Sequence, residues 1–383
     1  MIEKAFAGNR RYWTWIALLL ACIAAGVLMY MRQLDEGLAV TGLSRTVSWG
    51  LYIGQFTFFD GIAASALMVV IPYYLHDAKQ FGKVAILGVL LAIAGVIVSM
   101  LFVMVDLGQP SRVMNVLLYP APHSVMFWDI LSLSGYLLLN AVIAFFTLGA
   151  ERQSLPPPAW LKAVVYLSIP WAVGIQIVSA FLYSGLAARP LWLTAVLVPR
   201  FLASAFAAGT ALLILMIFVL RRTVRYDVGE DVIGKLSSIV MYAASLSALL
   251  VLGEIFTGSY GGVPADREIV LLQYASLHGA WTMTAWMWGS GLLMIGALVV
   301  LYVPAWRQSH ATLSLACVCV FLSLWMDKGL AFIVGGFEPS SLGSLAPYRP
   351  SLTEWVIAAG IWALGALMLT MFYKITAAIR TSA

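Results

Sequence analysis

Five ionisable side chains fall inside long apolar segments of this 383-residue chain, where a charge has little water to solvate it. Four are acids, Asp60, Asp129, Glu254 and Asp327, and the fifth is the base Lys328. Charged groups within a membrane are costly, and they usually mark a proton, ion or substrate pathway. Carboxylates and an amine can exchange protons with each other or with a bound molecule. These five residues are therefore the first candidates for chemistry.

Two further candidates lie at the ends of apolar segments. Asp106 opens the turn Asp-Leu-Gly-Gln-Pro, and His278 precedes a later apolar segment. An Asp at such a turn can also simply cap backbone donors. Asp327 and Lys328 are adjacent, so on a regular helix they would point about 100° apart. They could each pair with another helix, for example Lys328 with Glu254, and only hold helices together.

Metal and haem ligation are not indicated by the histidines and cysteines. A two-haem membrane cytochrome needs paired histidines on facing helices, and no predicted helix carries two. The cysteines lie in apolar segments and lack the spacing of zinc or iron–sulfur ligands. We therefore expect no haem, no iron–sulfur cluster and no metal in this chain. The residues in question are His76, His123, His278, His310, Cys22, Cys317 and Cys319.

The elements that must position these residues are membrane helices. The chain is 62% hydrophobic and 10% charged, against roughly 25% charged in soluble domains. Its apolar blocks are continuous rather than alternating, which excludes a β-barrel, and several are long enough to cross about 30 Å of hydrocarbon. The fold class is therefore an all-α polytopic membrane protein, with a single integral membrane domain over residues 1–383. Helices are predicted near 12–31, 48–75, 83–106, 124–148, 160–185, 197–220, 234–257, 281–303, 312–334 and 353–375.

A weak internal repeat divides the helices into two groups. The stretches FFDGIAASALMVVI and FAAGTALLILMI lie in the second and sixth predicted helices, which start on the same side, and each has small residues at its centre. The third helix ends in Asp106, and the seventh ends near Glu254. We therefore predict two related four-helix bundles, residues 48–185 and 197–334, with one extra helix at each end. Parallel repeats of this kind also occur in transporters, so the repeat alone does not choose a function.

The basic residues predict the orientation. The termini and the loops near 76–83, 149–162, 221–235 and 304–312 carry fourteen Lys and Arg residues, and the opposite loops carry seven. Cytoplasmic loops are the richer in Lys and Arg, so both termini are predicted to lie in the cytoplasm and Asp106 near the outer face of the cytoplasmic membrane. The net charge of +5 reflects these loops and does not indicate nucleic-acid binding.

Several motifs resemble the NrfD/PsrC family of membrane subunits. They cover nearly the whole chain, and the ten-helix form is most similar to the DsrP-type subunits of sulfite-reduction-associated DsrMKJOP complexes. The matching stretches are 49–52 (WGLY), 58–64 (FFDGIAA), 106–112 (DLGQPSR), 124–128 (SVMFW) and 328–330 (KGL), followed by Gly335, Gly336, Phe337, Pro339, Tyr348, Pro350 and Glu354.

The resemblance implies a haem-free subunit of a quinone oxidoreductase complex rather than a complete enzyme. It would bind menaquinone non-covalently near the outer face and exchange electrons there with a ferredoxin-like iron–sulfur subunit, within a DsrMKJOP-like complex. Relatives can carry Asn and His in the first bundle helix, where this chain has Ser48, Tyr52 and Gln55. The implied quinone-binding residues are Tyr52, Gln55, Asp106, Gly108, His123, Trp128 and Asp129. The implied proton-transfer residues are Asp60, Glu254, His278, Asp327 and Lys328.

Two other functions stay open at this point. A ten-helix secondary transporter could use Asp60 as its coupling site, and it would need helices broken at matching places in the two halves. Pro170 interrupts the fifth helix, and the ninth has no matching proline. A passive membrane anchor for electron-transfer subunits is the second alternative.

Overall fold

The computed structural model describes residues 8–76, 78–153, 155–186, 188–224, 226–262, 264–275, 281–337 and 348–380. Within these ranges the fold is all-α, and ten helices are long and apolar enough to cross a membrane. The predicted fold class is confirmed. The helices are α1 Arg10–Glu36, α2 Leu51–Tyr74, α3 Gly82–Asp106, α4 Val125–Arg152, α5 Leu161–Ser184, α6 Leu197–Val224, α7 Glu230–Tyr260, α8 Trp281–Tyr302, α9 His310–Gly335 and α10 Leu352–Arg380.

Helix α1 begins and ends with recognisable capping residues. The Asn9 side chain accepts a hydrogen bond of 2.9 Å from the Tyr12 amide, which satisfies one of the free donors at the helix start. The helix ends at Gly37, whose φ of 74° suits glycine because other residues meet their own Cβ there. The predicted helix, residues 12–31, was shorter than the observed one. The charged residues at both ends lower the local hydropathy, so the sequence there resembles that of a loop.

Two helices are irregular at places the sequence did not predict. Helix α2 consists of Leu51–Ala64 and Leu67–Tyr74, separated at Ser65, and a Cβ on Gly209 of α6 would collide with the Ser65 side chain. Helix α9 contains a π-helical turn over Asp327–Ala331, which holds the adjacent charged pair. Single π turns inside α-helices are rare and frequently occur at functional sites.

The helices differ in how deeply they are buried. Helices α2, α3, α6 and α9 form the centre, whereas α1, α7 and α8 expose most of their apolar surface. Helix α1 packs along α10, and the Cα atoms of Gly26 and Gly360 come close together. Exposed Leu and Phe side chains on the outer helices suit contact with lipid.

Each predicted four-helix group makes the same circuit of contacts. Helix α2 contacts α3, α3 contacts α4, α4 contacts α5 and α5 contacts α2; α6 to α9 repeat this order. The halves meet where α2 packs on α6 and on the π turn of α9. That the two groups are related remains a prediction.

Three short helices were not predicted, at Asn115–Leu118, Pro264–Ala275 and Pro304–Gln308. They lie in loops, where a short helix leaves little hydropathy signal. We call the end of the bundle at which α3 finishes and α4 begins the Asp106 face. Because successive membrane helices cross in opposite directions, α5 and α7 finish at this face and α6 and α8 begin there.

Candidate functional site

Asp60 lies at the centre of a buried polar cluster joined by four helices. Its Oδ2 accepts hydrogen bonds from Gln176 Nε2 at 2.6 Å and from Ser179 Oγ at 2.9 Å, both on α5. Ser179 Oγ also lies 3.2 Å from Asp129 Oδ1 on α4. Asp60, Gln176 and Ser179 are fully buried. The small residues that follow Asp60 on α2 allow α5 and α6 to approach this closely.

One hydroxyl proton cannot serve two carboxylates at once. When Ser179 donates to Asp60, its contact with Asp129 is a hydrogen bond only if Asp129 carries a proton and donates it. One carboxyl proton can therefore be shared along the hydrogen-bonded series Asp129, Ser179 and Asp60. Asp60 Oδ1 is also buried without a hydrogen-bond partner among the described residues, so it can receive a further donor.

Lys328 reaches this cluster from the π turn of α9. Its Nζ donates to Gln176 Oε1 at 3.2 Å and lies 4.0 Å from the centre of the Phe201 ring. Asp60 is close enough to interact with Lys328 electrostatically, and a Cβ on Gly61 would lie 3.2 Å from Nζ. The suggested pairing of Lys328 with Glu254 is wrong, because the ammonium group points towards α2 and α5.

Arg200 on α6 is the partner of Glu254 and Asp327. Its two terminal nitrogens bind both carboxylates: one contacts Glu254 Oε2, and the other lies 2.8 and 2.9 Å from the oxygens of Asp327. Arg200 and Asp327 are buried, and Glu254 is partly exposed. The charge count included Arg200 among the basic residues of the outer side. It lies one turn inside α6, within the predicted helix 197–220, so it is a buried ion-pair partner rather than a loop charge.

Two adjacent residues at the π turn reach two different clusters, as the angle of about 100° between neighbouring side chains on a helix allows. Asp327 points to Arg200 on α6, and Lys328 points to Gln176 on α5 and towards α2. Gln55 on α2 supports this turn, since its Nε2 donates to Gly329 O at 3.3 Å and its Oε1 accepts from Trp325 Nε1 at 2.8 Å. Both polar atoms of the Gln55 amide are thus engaged by α9.

A second polar cluster surrounds Asp106 at the end of α3. The Tyr52 hydroxyl donates to Gln33 Oε1 at 2.8 Å, and Gln33 Nε2 donates to Val105 O at 2.6 Å. Asp106 and Tyr30 both interact electrostatically with Tyr52. In the part of the chain that the structure describes, Asp106 Oδ1 and the Tyr30 hydroxyl are buried without hydrogen-bond partners. A molecule bound here would find one acceptor and one hydroxyl group unoccupied.

Glu354 of α10 holds the neighbouring backbone in place. Its Oε2 accepts from the amides of Gly42 at 2.6 Å and Ser351 at 2.8 Å, and its Oε1 accepts from the Tyr348 hydroxyl. That hydroxyl accepts from the Leu51 amide at 2.7 Å, at the start of α2. Burial, followed by the charge of Glu354, raises the pKa of Tyr348, so its hydroxyl stays protonated as a donor. The extra helix α10 therefore positions α2 beside Asp106.

The remaining predicted residues lie nearer the surface. Gly108 and His123 are exposed on the Asp106 face, and Trp128 is exposed with its Nε1 donating to Pro122 O at 2.9 Å. His278 lies outside the described residues. The structure thus brings Asp60, Asp129 and Lys328 together, groups Glu254 with Asp327, and separates both clusters from Asp106.

Sequence reasoning missed the residues that connect the acids. Gln176 and Ser179 lie three residues apart on the same face of α5, as polar side chains in an apolar helix. The spacing of Gln176 and Ser179 could have indicated a polar face on α5. Gln33 and Tyr30 gave no such indication, because the sequence of α1 resembles a simple lipid-facing helix. In the described ranges, no group of three or more His, Cys, Asp or Glu residues could hold a metal ion.

A small cavity of ≈ 40 Å³ adjoins the Arg200 cluster. Arg200, Glu254 and Asp327 form its polar wall, and Gln273 and Tyr274 of the short helix Pro264–Ala275 add two uncharged polar groups. Burial raises the pKa of Tyr274, so this side chain stays a neutral hydroxyl. The remaining lining is apolar and comes from Leu191, Val251, Ile255, Val270, Met287 and Phe332.

The comparisons with known proteins agree with the motif resemblance. A family model described as "Polysulphide reductase, NrfD" matches residues 39–337. A selenate reductase subunit of Mesobacillus selenatarsenatis is 24% identical, with 88% of this chain and 87% of the relative covered.

Two relatives carry names that refer to menaquinone. The Hdr-like menaquinol oxidoreductase integral membrane subunit of Archaeoglobus fulgidus is 23% identical, with 98% of this chain and 96% of the relative covered. The menaquinone reductase integral membrane subunit of Nitratidesulfovibrio vulgaris is 22% identical, with 95% and 91% covered. Because the family model spans most of the chain, from before α2 to the end of α9, the chain belongs to the NrfD family of membrane proteins.

Proposed function

We propose that this chain is the quinone-reactive membrane subunit of a multisubunit redox complex, and that a menaquinone headgroup binds beside Asp106. The observation that carries the proposal is the buried Asp106 Oδ1, which lacks a hydrogen-bond partner among the described residues. A buried polar atom without a partner is costly, so such atoms in a native site usually have a bound group to satisfy them. The relatives named for menaquinol and menaquinone support the choice of ligand.

The residues present fit a quinone headgroup. Asp106 Oδ1 can accept a hydrogen bond from a hydroxyl, and the Tyr30 hydroxyl can donate one to a carbonyl oxygen. Tyr52 is held by Gln33, which is tied to the backbone of α3, so the wall between these two groups is rigid. Sites that hold reacting groups on packed helices keep them in a fixed geometry.

Menaquinone supplies two-electron chemistry, since its reduced form releases two protons and two electrons. Asp106 would take or return one proton at Oδ1, and Tyr30 would orient the opposite oxygen of the headgroup. Tyr52 would not transfer a proton in this scheme, because its own proton is committed to Gln33. Glu354 would act at a distance, by holding the start of α2 through Tyr348.

We further propose that an iron–sulfur subunit docks on the Asp106 face and exchanges electrons there. This face carries a groove of ≈ 380 Å³ lined by Trp49, Arg189 and Phe337 among others. Exposed His123 and Trp128 lie on the same face. With both termini in the cytoplasm, as the charge count predicts, the partner would lie on the outer side of the cytoplasmic membrane.

Proton movement through the first bundle is part of the proposal. Asp129, Ser179 and Asp60 form a hydrogen-bonded series that can pass a proton. Gln176 orients Asp60 and Lys328, but a carboxamide does not exchange protons readily. Transfer between Asp60 and Lys328 would therefore need a rotation of the Lys328 side chain or an intervening water. Asp327 and Glu254 would take part less directly, since both carboxylates are bound by Arg200.

The link to sulfite metabolism rests on the motifs shared with DsrP-type subunits and on the family description, which names polysulphide reductase. The name of the Mesobacillus relative refers to selenate instead. We therefore assign the terminal substrate to the partner subunits, and place a DsrMKJOP-like complex as their proposed setting. Purification of the native complex with a tag on α10 would test it: sulfur-metabolism partners support the setting, and selenate or other reductase subunits contradict it.

A transporter function is less well supported by the helix geometry. Helix α2 is interrupted at Ser65, whereas the corresponding α6 is continuous. Pro170 lies in the first half of α5, and the π turn lies in the second half of α9. The irregular places therefore do not match between the halves, as the transporter hypothesis requires.

The substitution Asp106→Asn tests the central proposal. It removes the charge and the proton-accepting oxygen with little change of shape, so quinol oxidation by the purified complex, followed with a soluble dye, should fall at least about 100-fold. Asp35→Asn is the matched control, because Asp35 is exposed near the end of α1. Unchanged turnover and unchanged quinol KM in the Asp106 variant would remove Asp106 from the mechanism.

A further inference from the structure

Helix α4 carries a line of polar side chains that runs the length of the membrane span. Asp129, Tyr136, Asn140, Thr147 and Glu151 are spaced seven, four, seven and four residues apart. On a helix of 3.6 residues per turn, this spacing places all five side chains on one face. At 1.5 Å per residue the line is about 33 Å long, enough to cross the hydrocarbon layer. We call these five residues the α4 line.

The α4 line faces the interior of the first bundle rather than lipid. Asp129, Tyr136 and Asn140 are buried, whereas Leu138 and Phe145 on the other side of α4 are 65% and 73% exposed. Polar and ionisable side chains within a membrane are costly, and those that face a bundle interior often belong to a proton or ion path. The position of the line is therefore that of a path through the bundle.

The second half of the protein offers an internal comparison. In the predicted repeat α8 corresponds to α4, and α8 contacts α7 and α9 as α4 contacts α3 and α5. Residues 291–301 of α8 (GLLMIGALVVL) are all apolar. A bundle with these contacts thus packs without polar groups along this helix, so packing alone does not account for Asn140 and Thr147.

At its middle, the α4 line meets Asp60. The Tyr136 hydroxyl donates to Ala63 O at 3.4 Å, and Tyr136 interacts electrostatically with Asp60 on the same helix α2. Asp60 Oδ2 is bound from α5, whereas Oδ1 is buried without a partner among the described residues. Such an oxygen needs a donor, and a proton or a water molecule arriving along the α4 line would supply one.

At its other end, the α4 line reaches the surface opposite the Asp106 face. Tyr74, the last residue of α2, lies beside Thr147 and interacts electrostatically with Glu151. Thr147 Oγ1 is buried and has no hydrogen-bond partner in the described part of the chain. Glu151 is half-buried, and the next residues, Arg152 and Gln153, are exposed. A water molecule that enters beside Glu151 would therefore meet an unsatisfied hydroxyl group.

We propose that the α4 line is the second half of a proton path, which connects Asp60 with the surface opposite the Asp106 face. The inference rests on the proposed function, in which Asp60, Ser179 and Asp129 form the half towards the Asp106 face. One proton is taken up at Glu151 for each proton released at the Asp106 face. With the orientation that the charge count predicts, the uptake side is the cytoplasm.

Transfer along the line uses hydroxyl groups and water. The hydroxyls of Thr147 and Tyr136 can each accept one proton and release another, so neither group changes after a full transfer. Asn140 does not exchange protons readily, and its amide orients water between them. Thr147 and Asn140 lie about 10 Å apart along α4, a distance that roughly three hydrogen-bonded water molecules span.

Thr147→Val tests the inference, because valine keeps the shape of threonine and removes the hydroxyl. The purified complex in proteoliposomes oxidises quinol, and the protons carried across are counted beyond the two that each quinol itself releases. We expect this number to fall at least about tenfold, while dye reduction stays within about twofold. Thr147→Ser, which restores a hydroxyl, should translocate normally. Ser134→Ala, which changes a half-buried hydroxyl outside the α4 line, is the matched control.

The outcomes separate this inference from the proposed function. Equal translocation by Thr147→Val and the unchanged complex would overturn the path. An equal loss in Thr147→Ser would also contradict it, because the shape of the side chain and not its hydroxyl would then matter. If the unchanged complex carries no protons beyond those of the quinol, the path is overturned, while dye reduction by Asp106→Asn still decides the quinone site.

A second variant covers the case in which Thr147→Val fails to assemble. Asn140→Leu keeps a similar volume and removes the amide that orients the water. It should lower the number of translocated protons at least about tenfold, again with dye reduction within about twofold. Translocation equal to that of the unchanged complex, or a parallel loss of dye reduction, would contradict a path that is separate from the quinone site.

Discussion

Removal of the Arg200 guanidinium should destabilise the protein more than the loss of any charge on its surface. In Arg200→Gln, the amide can reach at most one of the two carboxylates, and three hydrogen bonds to charged oxygens are reduced to one or none. Glu254 and Asp327 then face each other as two like charges. The helices α6, α7 and α9 meet at this point, so the effect should spread across the second half.

The magnitude follows from burial. Breaking a buried ion pair by removing one partner costs about 3–5 kcal/mol, because the other charge stays desolvated. Asp327 meets this description, with 7% of its side chain exposed. Glu254 has 21% of its side chain exposed, so water screens it in part and it adds about 1 kcal/mol at most. We expect a loss of about 4 kcal/mol, or roughly 1,000-fold in the folding equilibrium.

The assay is unfolding by sodium dodecyl sulfate in mixed micelles, followed by far-ultraviolet circular dichroism. The double variant with Asp327→Asn should recover part of the loss, since it removes the more buried charge. Arg32→Gln is the matched control, because Arg32 pairs with Glu36 on an exposed helix surface.

Two results would refute this reasoning. A destabilisation of Arg200→Gln no larger than that of Arg32→Gln would mean that the cluster is solvated. A double variant as unstable as Arg200→Gln alone would mean that the destabilisation does not come from an unpaired carboxylate at Asp327.

Three further predictions concern the packing and the proton path. Asp60→Asn should abolish proton translocation in proteoliposomes and leave only the two protons that each oxidised quinol itself releases, while dye reduction stays within about twofold. The reason is that the substitution breaks the Asp129–Ser179–Asp60 series but leaves the Asp106 cluster intact; loss of both activities would contradict a separate proton path. Tyr348→Phe should lower the free energy of unfolding by about 2 kcal/mol, since the Leu51 amide and Glu354 Oε1 each lose a buried partner. Tyr119→Phe is the control, because Tyr119 is exposed. Equal unfolding midpoints of the two variants would reject the role of Tyr348. Gly54→Ala should lower the free energy of unfolding by about 1–3 kcal/mol, because the new Cβ would collide with Gly329 O in the π turn. Gly174→Ala is the control, because its Cβ meets open space. Gly54→Ala should therefore unfold at the lower temperature of the two variants, and the reverse order would contradict the close approach of α2 and α9.

The fold class could be predicted from the sequence because its cause is local. A helix that crosses a membrane must satisfy its own backbone and be apolar along its length, so hydropathy alone indicates each of the ten spans. The irregular places could not be predicted, since Ser65 in α2 and the π turn at Asp327–Ala331 depend on side chains of other helices. Hydropathy averages over a window and does not register a single turn.

The sequence by itself also indicated which charged groups the helices enclose, because a charge in an apolar segment is unusual wherever it points. Asp60, Asp129, Glu254, Asp327 and Lys328 were found in this way, and Asp106 was found from the turn at the end of its helix. Only the tertiary structure decided their partners. Arg200 takes Glu254 and Asp327, Lys328 turns to Gln176 near Asp60, and Asp106 keeps a free oxygen. The physical reason is that pairing depends on how each helix is rotated about its own axis and placed against its neighbours. That arrangement is not local to the residues that carry the charge.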